Sequence, residues 1–303
     1  MALVVAEHLG KQYGAKVAVT DLSFTVRPGT VTGFLGPNGS GKSTTMRLML
    51  GLDRGEGRTT FDGRPFTELR QPLREVGALL EANPFHPTRR ARSHLRMLAA
   101  ANRIPASRVD EVLEIVGLTS VARGRPRKFS LGMGQRLGLA AALLGDPHTL
   151  ILDEPSNGLD PQGITWLRGL LRSLASEGRA VFVSSHLLQE MAVLADHLVV
   201  VGRGRMIANG AVADFTRGSA RNHVLVTTPD MSQLGPVLAS LGGHAQQSSD
   251  GTWAVRGLTS AQVGDAARDA AARVHQLVDV EATLEEAFLD ATGADEEFRG
   301  HLR

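Results

Sequence analysis

The chain has 303 residues, of which 42% are apolar and 21% charged, and its mean hydropathy is −0.06. This composition excludes a disordered chain and allows one sizeable domain plus a smaller one. Cysteine is absent, which excludes disulfide frameworks, zinc ribbons, iron–sulfur clusters and thiol nucleophiles. No window approaches the roughly 18 consecutive apolar residues of a membrane span. The N-terminal segment lacks the charged segment followed by an apolar segment that is typical of a signal peptide. We therefore expect a chain that neither crosses a membrane nor is exported.

The net charge of +2 hides an asymmetry between the two parts of the chain. Residues 1–220 carry a net charge of +8, and residues 221–303 carry −6. This difference predicts two units with different partners.

The first part of the chain alternates predicted strands with predicted helices. The predicted strands are Leu3–Leu9, Val17–Val26, Thr30–Leu35, Val76–Leu80, Leu150–Leu152, Ala180–Val183, Leu198–Val201 and Met206–Asn209. The predicted helices are Thr44–Leu52, Arg108–Val116, Gly134–Leu144 and Gln162–Glu177. Strands alternating with helices predict an α/β fold with a mostly parallel sheet covered on both faces.

We place a first domain at residues 1–215, with a helical subdomain at about 87–145, and a polar connector at 216–221. The pattern then restarts. Residues 222–303 predict a small α+β domain of accessory or regulatory character. Its predicted strands are Val224–Thr228, Trp253–Val255 and Val274–Val280. Its predicted helices are Met231–Leu241, Ser260–Ala272 and Leu284–Thr292. An acidic tail at 294–297 is expected to be flexible.

A glycine-rich loop lies between the third predicted strand and the first predicted helix. Residues 36–43 fit the pattern G-x-x-x-x-G-K-[ST], in the strand-loop-helix context that the pattern requires. Its backbone N–H groups and the following helix N-terminus would cradle the phosphates of a nucleotide. Lys42 would reach the β- and γ-phosphates, and the Ser43 hydroxyl would bind Mg²⁺. The predicted nucleotide-binding residues here are Gly36, Asn38, Gly39, Ser40, Gly41, Lys42, Ser43 and Thr44.

Two adjacent carboxylates, Asp153 and Glu154, follow the buried-type strand Leu150–Leu152. The carboxyl edge of a parallel sheet is where ligands of such folds bind, so both should lie beside the phosphate loop. Asp153 can hold Mg²⁺ through water, and Glu154 can polarise an attacking water. A lone Asp-Glu pair is more often a solvated turn, but the phosphate loop in the same chain favours catalysis.

Further motifs identify a family resemblance over residues 3–215. Residues 129–136 (FSLGMGQR) resemble the signature motif of the nucleotide-binding subunits of ABC transporters, usually written LSGGQ. Residues 156–160 resemble that family's D-loop, and His186 resembles its switch histidine. Tyr13, the single tyrosine, stands where the family has the aromatic residue that stacks on adenine.

The resemblance implies an ATPase of P-loop NTPase fold and ABC type that binds ATP and Mg²⁺ and works as a dimer. Two copies, or two closely similar subunits, would face each other head to tail, so that each signature segment covers the partner's ATP. Glu154 would be the general base, and His186 would brace the γ-phosphate and the attacking water. The nucleotide contacts implied across the interface are Ser130, Gly132, Met133 and Asp160.

Two positions depart from the family pattern. Glu81 stands where many members have a glutamine that binds the metal, and Leu131 replaces the first glycine of the signature. The implied metal ligands are therefore Ser43, Glu81 and Asp153. Both departures resemble the bacitracin- and daunorubicin-export-like branch, and residues 282–289 resemble the C-terminal ending of drug-export-like ATPases.

The resemblance implies a peripheral subunit on the cytoplasmic face of the membrane that drives a separately encoded permease, with export as the expected direction. The alternative is a soluble ABC-type ATPase acting on ribosome or nucleic acid. A regulatory nucleotide-binding module without turnover is disfavoured because Glu154 and His186 are both present. Two basic clusters fit a solvated face, a permease-docking surface or attraction to anionic lipid. Nucleic acid ranks below these because aromatic residues make up only 4% of the chain. The clusters comprise Arg89, Arg90, Arg92, Arg96, Arg123, Arg125, Arg127 and Lys128.

Overall fold

The fold consists of two units that lie one after the other along the chain. The computed structural model describes residues 3–81, 85–86, 88–217, 219, 221–248 and 251–287. Contacts within the chain separate unit 1, Met1–Gly210, from unit 2, Ala211–Arg303. The expected acidic tail at 294–297 and the C-terminal end of the predicted helix Leu284–Thr292 lie outside the described residues.

Strands and helices alternate up to the boundary between the units. The strands are β1 (Val4–Tyr13), β2 (Lys16–Val26), β3 (Val31–Leu35), β4 (Glu56–Phe61), β5 (Val76–Leu79), β6 (Thr149–Leu152), β7 (Ala180–Ser185), β8 (His197–Gly202) and β9 (Arg205–Ala211). The α-helices are α1 (Lys42–Met49), α2 (Pro72–Glu75), α3 (Ala91–Ala101), α4 (Ser107–Ile115), α5 (Leu131–Leu143), α6 (Pro161–Ser176) and α7 (Leu188–Leu194).

The central sheet has six strands in the order β5-β6-β7-β3-β8-β9. β5, β6, β7, β3 and β8 are parallel, which confirms the predicted parallel sheet. Every residue of β3, β6 and β7 is buried, as their continuous apolar character requires in a sheet covered on both faces. β7 lies between β3 and β6, so the segments that follow β3, β7 and β6 all begin at the same edge of the sheet.

A second sheet of unit 1 is antiparallel, with the order β2-β1-β4. It packs against the central sheet through three buried aromatic rings, Phe24, Phe34 and Phe182, whose centroids are 5.0 to 5.8 Å apart. The sequence analysis did not predict β4, because its residues (EGRTTF) are mostly polar and lie at the edge of this sheet.

The helices α3, α4 and α5 form the predicted helical region. Their apolar faces pack together through Leu95, Val109, Leu113 and Leu137, each of which is fully buried. The side chain of Ser130 caps the first turn of α5 by accepting a hydrogen bond from the Met133 amide at 3.2 Å.

Unit 2 is an α+β fold with its own core. Its elements are α8 (Val212–Arg217), β10 (His223–Thr227), α9 (Met231–Ser240), β11 (His244–Gln247), β12 (Trp253–Arg256), α10 (Ser260–Asp269) and β13 (Gln276–Val280). Its sheet is antiparallel, with the order β11-β12-β10-β13. Val226, Leu234, Leu238, Val255 and Val263 form the centre of the core. The sequence analysis missed β11, because all four of its residues are exposed and polar or small.

Candidate active site

The phosphate loop runs from the end of β3 to the start of α1. Gly36 and Gly41 are required by close backbone contacts: a Cβ would lie 2.4 Å from the Val201 carbonyl oxygen at Gly36 and 2.5 Å from that of Ala18 at Gly41. Gly41 also has a φ of 103°, which other residues rarely adopt. The backbone thus curls in a way that only glycine permits, as the motif predicted.

Lys42, the first residue of α1, extends back over the loop. Its ammonium group donates hydrogen bonds to the carbonyl oxygens of Gly36 at 2.7 Å and Pro37 at 3.3 Å. The ammonium group also lies 3.5 Å from Oε1 of Glu154. Only 6% of the lysine side chain is exposed. A buried cation held in this way provides positive charge where a terminal phosphate would bind.

A cleft of about 290 Å³ opens at the carboxyl edge of the central sheet, between the phosphate loop and the two carboxylates. The structure brings together in its lining nine of the residues predicted from the sequence. These are Tyr13, Asn38, Gly39, Gly41, Lys42, Ser43, Thr44, Asp153 and Glu154. Gly36 and the buried Ser40 belong to the same loop but do not line the cleft.

Glu154 is held by contacts on every side. Its φ of 48° is left-handed, a conformation that costs a non-glycine residue about 1 to 3 kcal/mol. Its amide donates to Ser184 Oγ at 2.8 Å, and its carbonyl accepts from Gln135 Nε2 at 3.0 Å. Oε1 is buried without a hydrogen-bond partner. The carboxylate is thus fixed, with Oε1 facing the Lys42 ammonium at 3.5 Å and making no hydrogen bond.

Ser184 connects the two carboxylates. Besides accepting from the Glu154 amide, its hydroxyl donates to Oδ1 of Asp153 at 2.5 Å. Ser184 is completely buried near the end of β7, the strand between the phosphate loop and β6. The sequence analysis gave this residue no role, because only the strand order brings it beside Asp153 and Glu154.

His186 follows directly after β7 and contacts the same glutamate. Its Nδ1 lies 2.8 Å from Oε2 of Glu154, with 33% of its side chain exposed. Because a carboxylate only accepts hydrogen bonds, the proton of this contact lies on Nδ1, and Nε2 stays free for a ligand. The structure therefore brings together the two side chains predicted to be catalytic.

The signature residues lie apart from this cleft. Ser130, Gly132 and Met133 form the start of α5, and none of them lines the cleft beside Lys42. The Ser130 oxygen accepts from the Met133 amide, so its own hydroxyl proton remains free to be donated.

The D-loop packs against the start of α5. A Cβ at Gly132 would lie 2.7 Å from the Gly158 carbonyl oxygen, and a Cβ at Gly158 would lie 2.4 Å from Leu131 Cγ. Asp160 caps α6 by accepting from the Gly163 amide at 2.9 Å, and it does not line the cleft. The D-loop and the signature motif thus pack directly against each other.

The predicted metal ligands separate into two groups. Ser43 and Asp153 line the cleft, whereas Glu81 is exposed after β5 and does not. Hydroxyl and carboxylate oxygens are ligands that Mg²⁺ prefers, so Ser43 and Asp153 fit this ion. Across the described residues, no group of three or more His, Cys, Asp or Glu could hold a metal ion by itself.

The two basic clusters become neighbours in the fold. The amides of Ala91 and Arg92 donate to the carbonyls of Gly124 and Ala122, both at 2.9 Å, which joins the start of α3 to the loop before α5. Arg92 forms an ion pair with Asp110 at 2.6 Å.

No helix in the described part of the chain combines the length and apolar character needed to span a bilayer.

Known family models match segments of both units. The family model described as "ABC transporter" matches residues 19–157, and a model described as "AAA domain, putative AbiEii toxin, Type IV TA system" matches residues 125–192. In unit 2, residues 222–285 match a family described as "Domain of unknown function (DUF8746)".

Curated relatives match from about two thirds of the chain to nearly all of it. The bacitracin transport ATP-binding protein BcrA of Bacillus licheniformis is 42% identical over 209 residues, which cover 68% of each chain. The uncharacterized ABC transporter ATP-binding protein YdbJ of Bacillus subtilis (strain 168) is 34% identical over 298 residues, which cover 96% of each chain.

Solved structures share the fold of about 70% of the chain. A structure described as the ATP-binding subunit of an ABC transporter is 26% identical, with a TM-score of 0.65, and the match covers 71% of this chain and 92% of that one. Two dimeric structures of the bacterial ABC transporter cassette MJ0796, one of them in a post-hydrolysis state with ADP and Pi, are each 22% identical with TM-scores of 0.63. Each match covers 69% of this chain and 98% of the MJ0796 chain.

These findings define an ATP-binding cassette of the P-loop NTPase fold, as the sequence predicted. The chain belongs to the family of ABC transporter ATP-binding proteins, and it is an ATPase.

Proposed function

We propose that this chain is the motor subunit of a bacterial exporter, which pairs with a second ATPase subunit through the nucleotide sites and drives a separate membrane permease. The observation that carries this proposal is the separation of the signature residues Ser130 and Gly132 from the cleft that holds Lys42 and Glu154. Since one copy holds only part of the predicted ATP contacts, a partner must supply the rest.

Within one subunit, the cleft residues divide the work on ATP. The phosphate loop and Lys42 bind the phosphates, with the ammonium group offsetting negative charge on the terminal one. Glu154 accepts a proton from the attacking water through the oxygen that has no other hydrogen-bond partner. His186 holds the second oxygen of Glu154 through its Nδ1 proton, and Nε2 accepts a hydrogen bond from the attacking water beside the γ-phosphate.

Mg²⁺ would be held by Ser43 and Asp153 together with phosphate oxygens. The ion, when bound, neutralises the phosphate charge that grows during transfer. Ser184 fixes the orientation of Asp153 through its hydroxyl. Glu81 would have to move from its exposed position to join this set.

Across the proposed dimer interface, the Ser130 hydroxyl and the N-terminal amides of α5 would donate hydrogen bonds to the partner's γ-phosphate. ATP then closes the pair, and hydrolysis releases it, which gives the permease two states to follow. The likeness to a bacitracin transport protein over 209 residues supports transport and is the basis for proposing export. Acting on a permease places the subunit at the cytoplasmic face of the membrane.

Cysteine crosslinking tests the dimer directly, because the natural chain contains no cysteine. Chains carrying Asn38→Cys are mixed with chains carrying Leu131→Cys, in a Glu154→Gln background that retains ATP. We expect a disulfide-linked dimer that forms with ATP and not without it. The matched control pairs Asn38→Cys with Leu241→Cys, an exposed position of unit 2. No crosslink above that control would refute the shared site.

Co-purification tests the permease. We expect the chain expressed from its native locus to fractionate with membranes and with a polytopic protein. Recovery with ribosomes or nucleic acid, and never with membranes, would overturn the transport proposal in favour of a soluble ABC-type ATPase.

A further inference from the structure

The phenol of Tyr13 is tied to a carboxylate that the nucleotide motifs do not include. Tyr13 Oη donates a hydrogen bond to Oδ2 of Asp53 at 2.7 Å. Tyr13 ends β1, whereas Asp53 lies in the turn that follows α1. The ring lines the cleft with 48% of the residue exposed, so its position depends on polar contacts such as this bond more than on packing in the core.

Asp53 is itself anchored to the phosphate-binding helix. Arg47, on α1, donates from Nε to Oδ2 and from Nη2 to Oδ1 of Asp53, each at 3.1 Å. This bidentate pair fixes the plane of the carboxylate, and the aspartate side chain is only 17% exposed. Tyr13 is therefore connected to the helix that begins with Lys42, through two side chains.

Lys11 restricts the ring from a different direction. Its ammonium group lies 4.7 Å from the centroid of the Tyr13 ring and donates to the carbonyl of Arg54. A cation over one face of an aromatic ring is attracted by its π electrons. One face is thus occupied, and the other remains for a planar ligand.

The electrostatics of the group agree with this geometry. The hydrogen bond to Asp53 raises the pKa of the Tyr13 phenol above its ordinary value. Hydrogen bonds from Arg47 and Tyr13 lower the pKa of Asp53. At neutral pH the phenol keeps its proton and the carboxylate its charge, so the bond persists.

We propose that Asp53, held by Arg47, is a positioning residue that fixes the Tyr13 ring for stacking on the nucleotide base. This inference rests on the proposed ATP site and on the expectation, from the family resemblance, that the Tyr13 ring stacks on adenine. It gives a function to the hydrogen bond that a half-exposed tyrosine at a strand end makes with Asp53. It also makes the hydroxyl of Tyr13 functionally distinct from the ring, because the hydroxyl orients and the ring stacks.

The test compares ATP with inorganic tripolyphosphate, which has phosphates but no base, in equilibrium binding to the full chain. The variants are Asp53→Asn, Tyr13→Phe, their combination and Tyr13→Leu. Tyr13→Phe keeps the ring and the Arg47–Asp53 pair, so it remains informative if Asp53→Asn weakens folding. The control is Glu68→Gln, which removes an exposed carboxylate from the same unit.

We expect Asp53→Asn and Tyr13→Phe each to weaken ATP binding about three- to tenfold, a loss of the size of one hydrogen bond. The double variant should lose no more than either single one, and tripolyphosphate binding should be unchanged. Because Tyr13 is the single tyrosine, its ionisation can be followed by absorbance near 295 nm. Its pKa should fall towards the ordinary value in Asp53→Asn.

Three outcomes would overturn the inference. Unchanged ATP binding in both single variants, with a loss in Tyr13→Leu, rejects the positioning role and leaves the stacking role intact. Equal losses for ATP and tripolyphosphate show a general structural effect. Unchanged ATP binding in Tyr13→Leu refutes the stacking of Tyr13 on adenine, while the proposed function of the phosphate site would still stand.

Discussion

Nδ1 of His186 and Oε2 of Glu154 are 2.8 Å apart, which joins the two predicted catalytic side chains into one unit. Glu154 lies after β6 and His186 after β7, two adjacent parallel strands. The pair is positioned by the sheet, so its geometry depends on the strand ends more than on the flexible side chains. Changes at either residue, or in the strand ends, should act mainly on hydrolysis.

Glu154→Gln should strongly slow hydrolysis and preserve ATP binding. The amide keeps the size of the side chain but cannot accept the proton, so kcat should fall about 10²- to 10⁴-fold. Phosphate release and equilibrium ATP binding are the measurements. Lys42→Ala provides the contrast, since it should weaken ATP binding at least tenfold. Hydrolysis at the original rate in Glu154→Gln would disprove the assignment of the base.

Ser184→Ala should lower kcat more than it raises KM. The hydroxyl orients Asp153 and bonds to the amide of Glu154, whose left-handed backbone depends on such contacts. Leaving these buried groups unpaired should also cost about 1 to 3 kcal/mol of unfolding free energy. The matched control is Ser185→Ala, an equally buried serine that accepts from the Leu187 amide. Equal kinetics in the two variants would contradict the role of Ser184.

Gly158→Ala should impair ATPase activity through the contact between the D-loop and α5. The new Cβ would lie 2.4 Å from Leu131 Cγ, at a φ of 78° that disfavours alanine. Adding Leu131→Gly removes the clash but not the backbone strain, so activity should recover in part. Steady-state ATPase rates of the two single variants and the double variant measure this coupling. A double variant no more active than Gly158→Ala would show that the contact is unimportant.

Acid should weaken unit 2 through Asp230. The backbone and side chain of Arg273 bond to this carboxylate at 2.8 to 3.0 Å, and the side-chain bond is the main reason that its pKa falls to about 2. Because this pKa is below the ordinary value of 3.8, the stabilisation is present above pH 4 and is lost as pH falls towards 2. Asp230→Asn should therefore destabilise unit 2 at neutral pH and progressively less below pH 4.

The measurement for Asp230 is urea unfolding followed by Trp253 fluorescence in a Trp166→Phe chain, since the protein has two tryptophans. The control is Asp265→Asn, an exposed carboxylate paired within its own helix with Arg268 at 3.1 Å. A stability difference between the chains with and without Asp230→Asn that stays constant from pH 7 to 2 would contradict the ion pair's contribution.

The sequence predicted the features of the site that depend on local pattern. The loop before Lys42 has glycines at fixed spacing, and buried strands read as continuous apolar runs, so both were visible without tertiary information. Ser184, Gln135 and Asp53 were not predicted to act. Their contacts join elements distant in sequence, and a serine at a strand end or an aspartate in a turn has no distinctive pattern.

Strands with polar residues were missed for a related reason. β4 and β11 lie at sheet edges, where exposed side chains can be polar and the alternation that marks a strand is lost. The left-handed backbone of Glu154 was also invisible, because a glutamate gives no sign of the φ that its neighbours impose.

The contact between Gln135 Nε2 and the Glu154 carbonyl gives α5 a role in both halves of the proposed dimer. One end of this helix would hold the partner's triphosphate, while the buried Gln135, one turn further on, supports the base of its own subunit. Binding of ATP at one site would thereby shift Glu154 slightly in the other site. Cooperativity between ATP hydrolysis at the two sites would then arise from movement of helix α5 as one body, without any rearrangement of the sheet.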